Sequence, residues 1–166
     1  MANSQALCTS FKVEILDGVH AIGTPPTRAT TAKDTFKAAL FEATASLGAG
    51  TTTYSTSGEV TGAGYSAGGI TVTNGTSPTS SGTTAYWTPS ASLTYSNVTL
   101  TTAFDAVLIY NSSQGDKAVA VYTFGSQTVT SGTFVLTMPT NDSSTYLLYT
   151  SPSPRDLSTS RMPSSA

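Results

Sequence analysis

The chain has 166 residues, 10% of them charged, and a formal net charge of −2. That length fits one domain with at most a tail, and the charge leaves no electrostatic footprint for nucleic acid. No apolar run approaches the ~20 residues that span a bilayer, no basic and apolar secretory leader is evident, and the one cysteine, Cys8, excludes an internal disulfide framework.

Ser4 to Asp17 reads as a short helix. Ser4 is the candidate N-cap. Leu7, Phe11 and Ile15 share one face, with Cys8 beside them, and Asp17-Gly18 stops the turn. Alternation of Phe11, Val13 and Ile15 also permits a strand; a helix running into a strand or turn is favoured. Phe11 is expected to be needed for folding or docking, and His20, in the following turn, to be dispensable.

Pro25-Pro26 marks a loop. Asp34 to Ala43, DTFKAALFEA, is ambiguous. Its Ala, Lys and Glu favour helix, while Phe36, Ala38 and Leu40 alternate as in a strand.

From Thr51 onward turn clusters separate short β runs, the pattern of a sandwich or barrel. Strands are expected at Glu59 to Thr61, Gly69 to Thr73, Thr84 to Thr88, Ala91 to Tyr95 and Asn97 to Thr101. Phe104 to Tyr110, Lys117 to Phe124 and Thr133 to Met138 follow. The best hairpin is FDAVLIY-NSSQGD-KAVAVYTF, with Gly115 available for φ > 0 in the turn. Its first strand is apolar on both faces and is expected to lie centrally. The fold class is therefore mainly β, an antiparallel sandwich or jelly-roll-like domain with a short N-terminal helix.

No charge occurs in the 45 residues between Glu59 and Asp105. Ser and Thr, 56 of the 166 residues, supply much of this polarity instead. Thr is a good strand residue and stays soluble; charge depletion also marks surfaces buried against partner subunits.

Chemistry is sparse. His20 is the one histidine, and CxxC, HxxxH and HxH spacings are absent, so no metal site is expected. Cys8 and His20 form a nucleophilic pair only in principle; Cys8 reads better as a small buried apolar residue. The acids Glu14, Asp17, Asp34, Glu42, Glu59, Asp105, Asp116 and Asp142 read as solvated turn carboxylates. A calcium site from Asp105, Asp116, Asp142 and carbonyls is the weaker reading. Gly62 to Gly69, GAGYSAGG, lacks GxGxxG and a following Lys, and reads as a hairpin or bulged connection. If Tyr86-Trp87 lies in a strand, one ring is core and the other exposed or interfacial. The sequons at Asn74, Asn97, Asn111 and Asn141 are by-products of composition. No catalytic, cofactor-binding or metal-binding residue is assigned, and no cofactor is expected.

The segment 147–166, LLYTSPSPRDLSTSRMPSSA, differs in composition from the rest, with three of the eight prolines. It resembles a translated sequencing adapter. Leu147 to Asp156 and Ser160 to Ala166 match two constant blocks around a variable index. The expected division is a β-rich domain over 1–146 and a disordered tail that should not pack. Without the tail the chain has 5 basic and 8 acidic residues, a net −3.

Residues 1–146 as a whole resemble small virion structural proteins of tailed bacteriophages, abundant in environmental metagenomes. The matching pieces are MANSQALCTSFKVEILDGVH, DTFKAALFEATASL, EVTGAGYSAGGITVTN, TPSASLTYSNVTLTTAFDAVLIYNSS and AVYTFGSQTVTSGTFVLTMPTND. In that family Gly62, Tyr65, Ala67, Gly68 and Gly69 fall on a recurrent turn. The resemblance implies a non-enzymatic virion component working through protein–protein contacts, in capsid decoration or in the neck or tail. It implies other virion proteins as partners, a homo-oligomer, no nucleic acid or membrane, and assembly in the bacterial host cytoplasm. The alternative is a tail-fibre or receptor-binding module for host glycans, with exposed aromatics in a shallow groove. A hydrolase would need convergent acids or a Ser/His/Asp set, for which the residues are few.

Overall fold

The computed structural model describes residues 2–16, 18–22, 33–81, 84–141 and 148–150. In chain order the elements are β1 (Ala6–Leu7), α1 (Thr9–Leu16), β2 (Phe36–Glu42), β3 (Ile70–Thr71), β4 (Thr79–Ser81), β5 (Thr84–Trp87), β6 (Leu93–Asn111), β7 (Lys117–Leu136) and β8 (Leu148–Thr150). All pairings are antiparallel, in a five-stranded sheet of order β1-β7-β6-β2-β3 and a three-stranded sheet of order β4-β5-β8. The mainly β antiparallel class with one short helix therefore holds. The two sheets are sandwich-like, with no barrel closure.

The expected hairpin forms, with Asn111 opposite Lys117 and Leu108 opposite Val121. Gly115 takes φ 65° in its turn. β6 is the middle strand of its sheet, and Ala106 to Tyr110 are buried, as apolarity on both faces demanded. The strands are much longer than expected. Ala91 to Tyr95, Asn97 to Thr101 and Phe104 to Tyr110 merge into one strand of 19 residues, and Lys117 to Phe124 and Thr133 to Met138 into one of 20. Register shifts along the ladder absorb the turn-like residues between them. Asn97 and Ser131, at φ 55° and 48°, sit in such irregular places.

The ambiguous segment is strand β2. Phe36 and Ala38 to Phe41 are all buried between β6 and β3, so tertiary pairing overrides helix propensity. Glu59 to Thr61 is no strand: Glu59 makes a single bridge to Phe41, and Val60 N donates to Leu40 O. Of Gly69 to Thr73, only Ile70–Thr71 is strand.

The N-terminal helix exists but starts later and faces differently. Ser4 is not its cap: the Ser4 N–H donates to Leu47 O, and β1 precedes the helix. Cys8, Phe11 and Glu14 are buried, whereas Val13 and Ile15 are exposed. A helix of 8 residues has room for about one inward residue per turn, and Phe11 with Glu14 takes that line instead of Leu7 and Ile15. Asp17 and Pro25-Pro26 lie outside the described residues.

Trp87 on β5 is buried and meets Phe36 at 6.2 Å between ring centroids, which seats the smaller sheet on the common core. Tyr86 is half-buried, so the two neighbours point apart as expected. Leu148–Thr150, within the segment expected not to pack, pair with β5. Backbone pairing needs no particular side chains, and Leu-Tyr-Thr suits a strand. The rest of that segment lies outside the described residues.

Candidate functional site

Two buried polar clusters and one surface stand out. The first cluster centres on His20. Its side chain is 0% exposed, between the Phe11 ring at 4.7 Å and the Phe36 ring at 6.3 Å. His20 Nε2 donates to Glu14 Oε2 at 2.8 Å, and Asn111 Nδ2 donates to His20 Nδ1 at 2.9 Å. The neutral ring with its proton on Nε2 satisfies both bonds. Asn111 Nδ2 also donates to Asp34 Oδ2 at 2.7 Å, and Asn111 Oδ1 accepts from Ser113 N, which fixes the amide's orientation. Asp34 further accepts from Ala21 N and Gln114 Nε2. At the other end Lys117 Nζ donates to Glu14 Oε1 at 2.6 Å.

This network ties the helix and the segment before β2 to the turn of the long hairpin. It corrects two expectations. His20 is buried and bonded rather than open in a turn, and Glu14 and Asp34 are buried rather than solvated. Cys8 makes no pair with His20. Its Sγ faces Gly48 O at 3.9 Å, and burial, with Glu14 nearby, pushes the thiol up to about 11. That is an inert packing cysteine.

The second cluster surrounds Glu59, which is 6% exposed. Tyr65 OH and Gly68 N both donate to Glu59 Oε1 at 2.7 Å, and Tyr54 OH donates to Oε2 at 2.6 Å. Tyr65 OH accepts from Leu40 N, and Tyr110 OH donates to Gly68 O. Tyr54 and Tyr110 stack at 4.5 Å. Gly69 makes the approach possible. It has φ +69°, and a Cβ there would lie 1.7 Å from Ala38 O, on the backbone of β2. The Gly62 to Gly69 segment is thus a bulged connection that wraps a buried carboxylate. Burial, then the Glu59 carboxylate, pushes the Tyr54 and Tyr65 hydroxyls well above the usual tyrosine range.

These shifts predict a stability plateau with two flanks. Burial pushes the Glu14 carboxyl up, but the hydrogen bonds from Lys117 and His20, with the Lys117 charge, outweigh it and hold the group below its ordinary 4.5. Its contribution is complete above that value and is lost as pH falls through the lower folded value. The tyrosine contribution is complete below the ordinary 10 and is lost as pH rises toward the higher folded values. Thermal melts across pH should fall on both flanks. In Glu14→Gln the acid flank should flatten.

Elsewhere Asp105 accepts from Asn3 Nδ2 at 2.7 Å and Asp116 is exposed in the hairpin turn. Asp142 lies outside the described residues. Among the described residues no three His, Cys, Asp or Glu side chains gather closely enough to hold a metal ion. Asn74 and Asn111 are buried and bonded, so neither sequon presents an open amide.

The third feature is the distribution of charge. Ala118 to Asn141 holds no charged residue, a run of 24 beside the 45 from Val60 to Phe104. The hairpin lays these runs against each other, Leu93 opposite Leu136 and Leu100 opposite Val129. Charges cluster at the other end, on α1, β2 and the hairpin turn. The charge-free outer half of the hairpin exposes Thr94, Ser96, Thr128, Thr130, Thr133 and Val135. No protein family, curated protein or solved structure matches the chain.

Proposed function

We propose that the protein is a non-enzymatic structural component of a tailed-phage particle, acting through contacts with other virion proteins as a capsid decoration or a neck or tail part. The observation that carries this reading is the continuous charge-free surface along the outer halves of β6 and β7. Burying uncharged hydroxyl and methyl groups against a neighbour avoids the desolvation cost of ions. The two polar clusters suit the same role. Their groups bond to one another in the interior, where they brace the domain. The sequence resemblance over residues 1–146 points the same way.

The glycan-binding alternative calls for exposed aromatic rings. Every described aromatic side chain is buried or half-buried, so no observation favours it. The test is the genomic neighbourhood of the coding sequence, read through the junction at Tyr146. Capsid, portal, terminase or tail genes on either side are the expected result. A neighbourhood of metabolic genes without virion genes would overturn the proposal.

A further inference from the structure

The outer edge of β7 is covered unevenly. β1 pairs with it only at Ala120 and Val121. From Thr123 to Leu136 no described strand lies beside that edge. Folded proteins guard such edges with charge, proline or bulges. Here the upstream part is guarded by bulges alone, because the ladder shifts register at every step from the pair at Thr123 through those at Gln127, Val129 and Gly132 to that at Phe134. Phe134 to Leu136 has none of these devices. It pairs with β6 without a shift, Phe134 opposite Tyr95 and Leu136 opposite Leu93, and the next proline is Pro139. Val135 is 48% exposed, one of three exposed large apolar side chains among the described residues.

We infer that Phe134 to Leu136 is the contact edge for a second copy of this chain, paired antiparallel about a two-fold axis centred on Val135. The inference rests on the proposed structural role and names the partner for that surface. Three observations select a second copy. An edge without charge meets its own image without like-charge repulsion, whereas a charged partner would lose hydration there without a counter-ion. The axis must stand normal to the sheet, so residues of like face oppose each other. Val135 then faces Val135 of the second copy on the outer side, and Phe134 faces Leu136 of the second copy on the inner side. Lastly, Phe134 is half-buried, with Phe104 at 5.1 Å and Phe124 at 5.2 Å. A facing leucine would extend that cluster across the axis. Three residues from each copy bury less than the ~1,200 Å² of a standard interface, so the single contact is weak and gains strength through repetition.

Cysteine trapping of the full chain tests this. Opposed residues of an antiparallel pair lie about 4.5–5.5 Å apart at Cα, within disulfide range. Val135→Cys should give a disulfide-linked dimer on mild oxidation. Thr128→Cys, exposed on the same strand but far from the axis, should not. Buried Cys8 is controlled by the unmutated chain. Val135→Lys, which sets two like charges together, should abolish the dimer seen by sedimentation at about 100 µM while the β-sheet circular dichroism persists. Equal trapping at both cysteines, or a monomeric parent chain at that concentration, would overturn the inference. The two proposals fail separately. A chain trapped at Val135 whose gene lies away from virion genes keeps this contact and loses the virion role. A monomer encoded among virion genes does the reverse.

Discussion

Glu59→Ala is expected to cost about 3–5 kcal/mol, the largest loss of any single polar side chain here. The carboxylate accepts from two tyrosine hydroxyls and one backbone N–H within 2.7 Å. Removing it leaves three donors around a buried void. Each buried, unpaired donor costs roughly 1–3 kcal/mol, and partial hydration of the void returns some of that. Glu59→Gln keeps the volume and one acceptor oxygen, but its amide nitrogen must face a hydroxyl or N–H donor. It should lose about half as much. Chemical denaturation of the three proteins checks the order. If Glu59→Ala were as stable as the parent, the cage would have no structural role and the buried carboxylate would need another explanation.

His20→Ala is expected to cost about 2–4 kcal/mol. Two losses add: the ring's packing between Phe11 and Phe36, and its bonds to Glu14 and Asn111. His20→Phe separates them, because it restores the ring and leaves the polar partners unmet. The phenylalanine protein should recover part, not all, of the lost stability. Full recovery would show that the network contributes nothing beyond filling space. A melting temperature for His20→Ala within experimental error of the parent would contradict the network's role outright.

The long hairpin was legible because its information is local: apolar alternation, a polar turn and a glycine within two dozen residues. β2 was not, since Ala, Lys and Glu prefer helix and only pairing with β6 and β3 decides the matter. The two long strands were hidden for a related reason. Bulges let Asn97 and Ser131 stay inside a strand while looking like turn residues. The His20 cluster is the hardest case. Asn111 lies 91 residues from His20, and Lys117 lies 103 from Glu14, so no window of sequence contains the set. The Glu59 cage differs. Tyr54, Tyr65 and Gly68 all lie within 9 residues of Glu59. A lone acid flanked by tyrosines in a glycine-rich segment was a signal available from the start, and reading each acid as a solvated turn group missed it.

The pairing of β1 with β7 also sets an order in time. Ala6 meets Val121 and Leu7 meets Ala120, so β1 has no partner until the chain has grown past Val121. The hairpin itself closes over a turn of a few residues and can zip at once. During synthesis the N-terminal segment therefore waits as an open strand while everything between it and its partner is made. Its docking, and with it the burial of Cys8 and Phe11, cannot precede the synthesis of Ala120 and Val121. That wait leaves an unpaired edge open to capture by a neighbouring nascent chain on the same message.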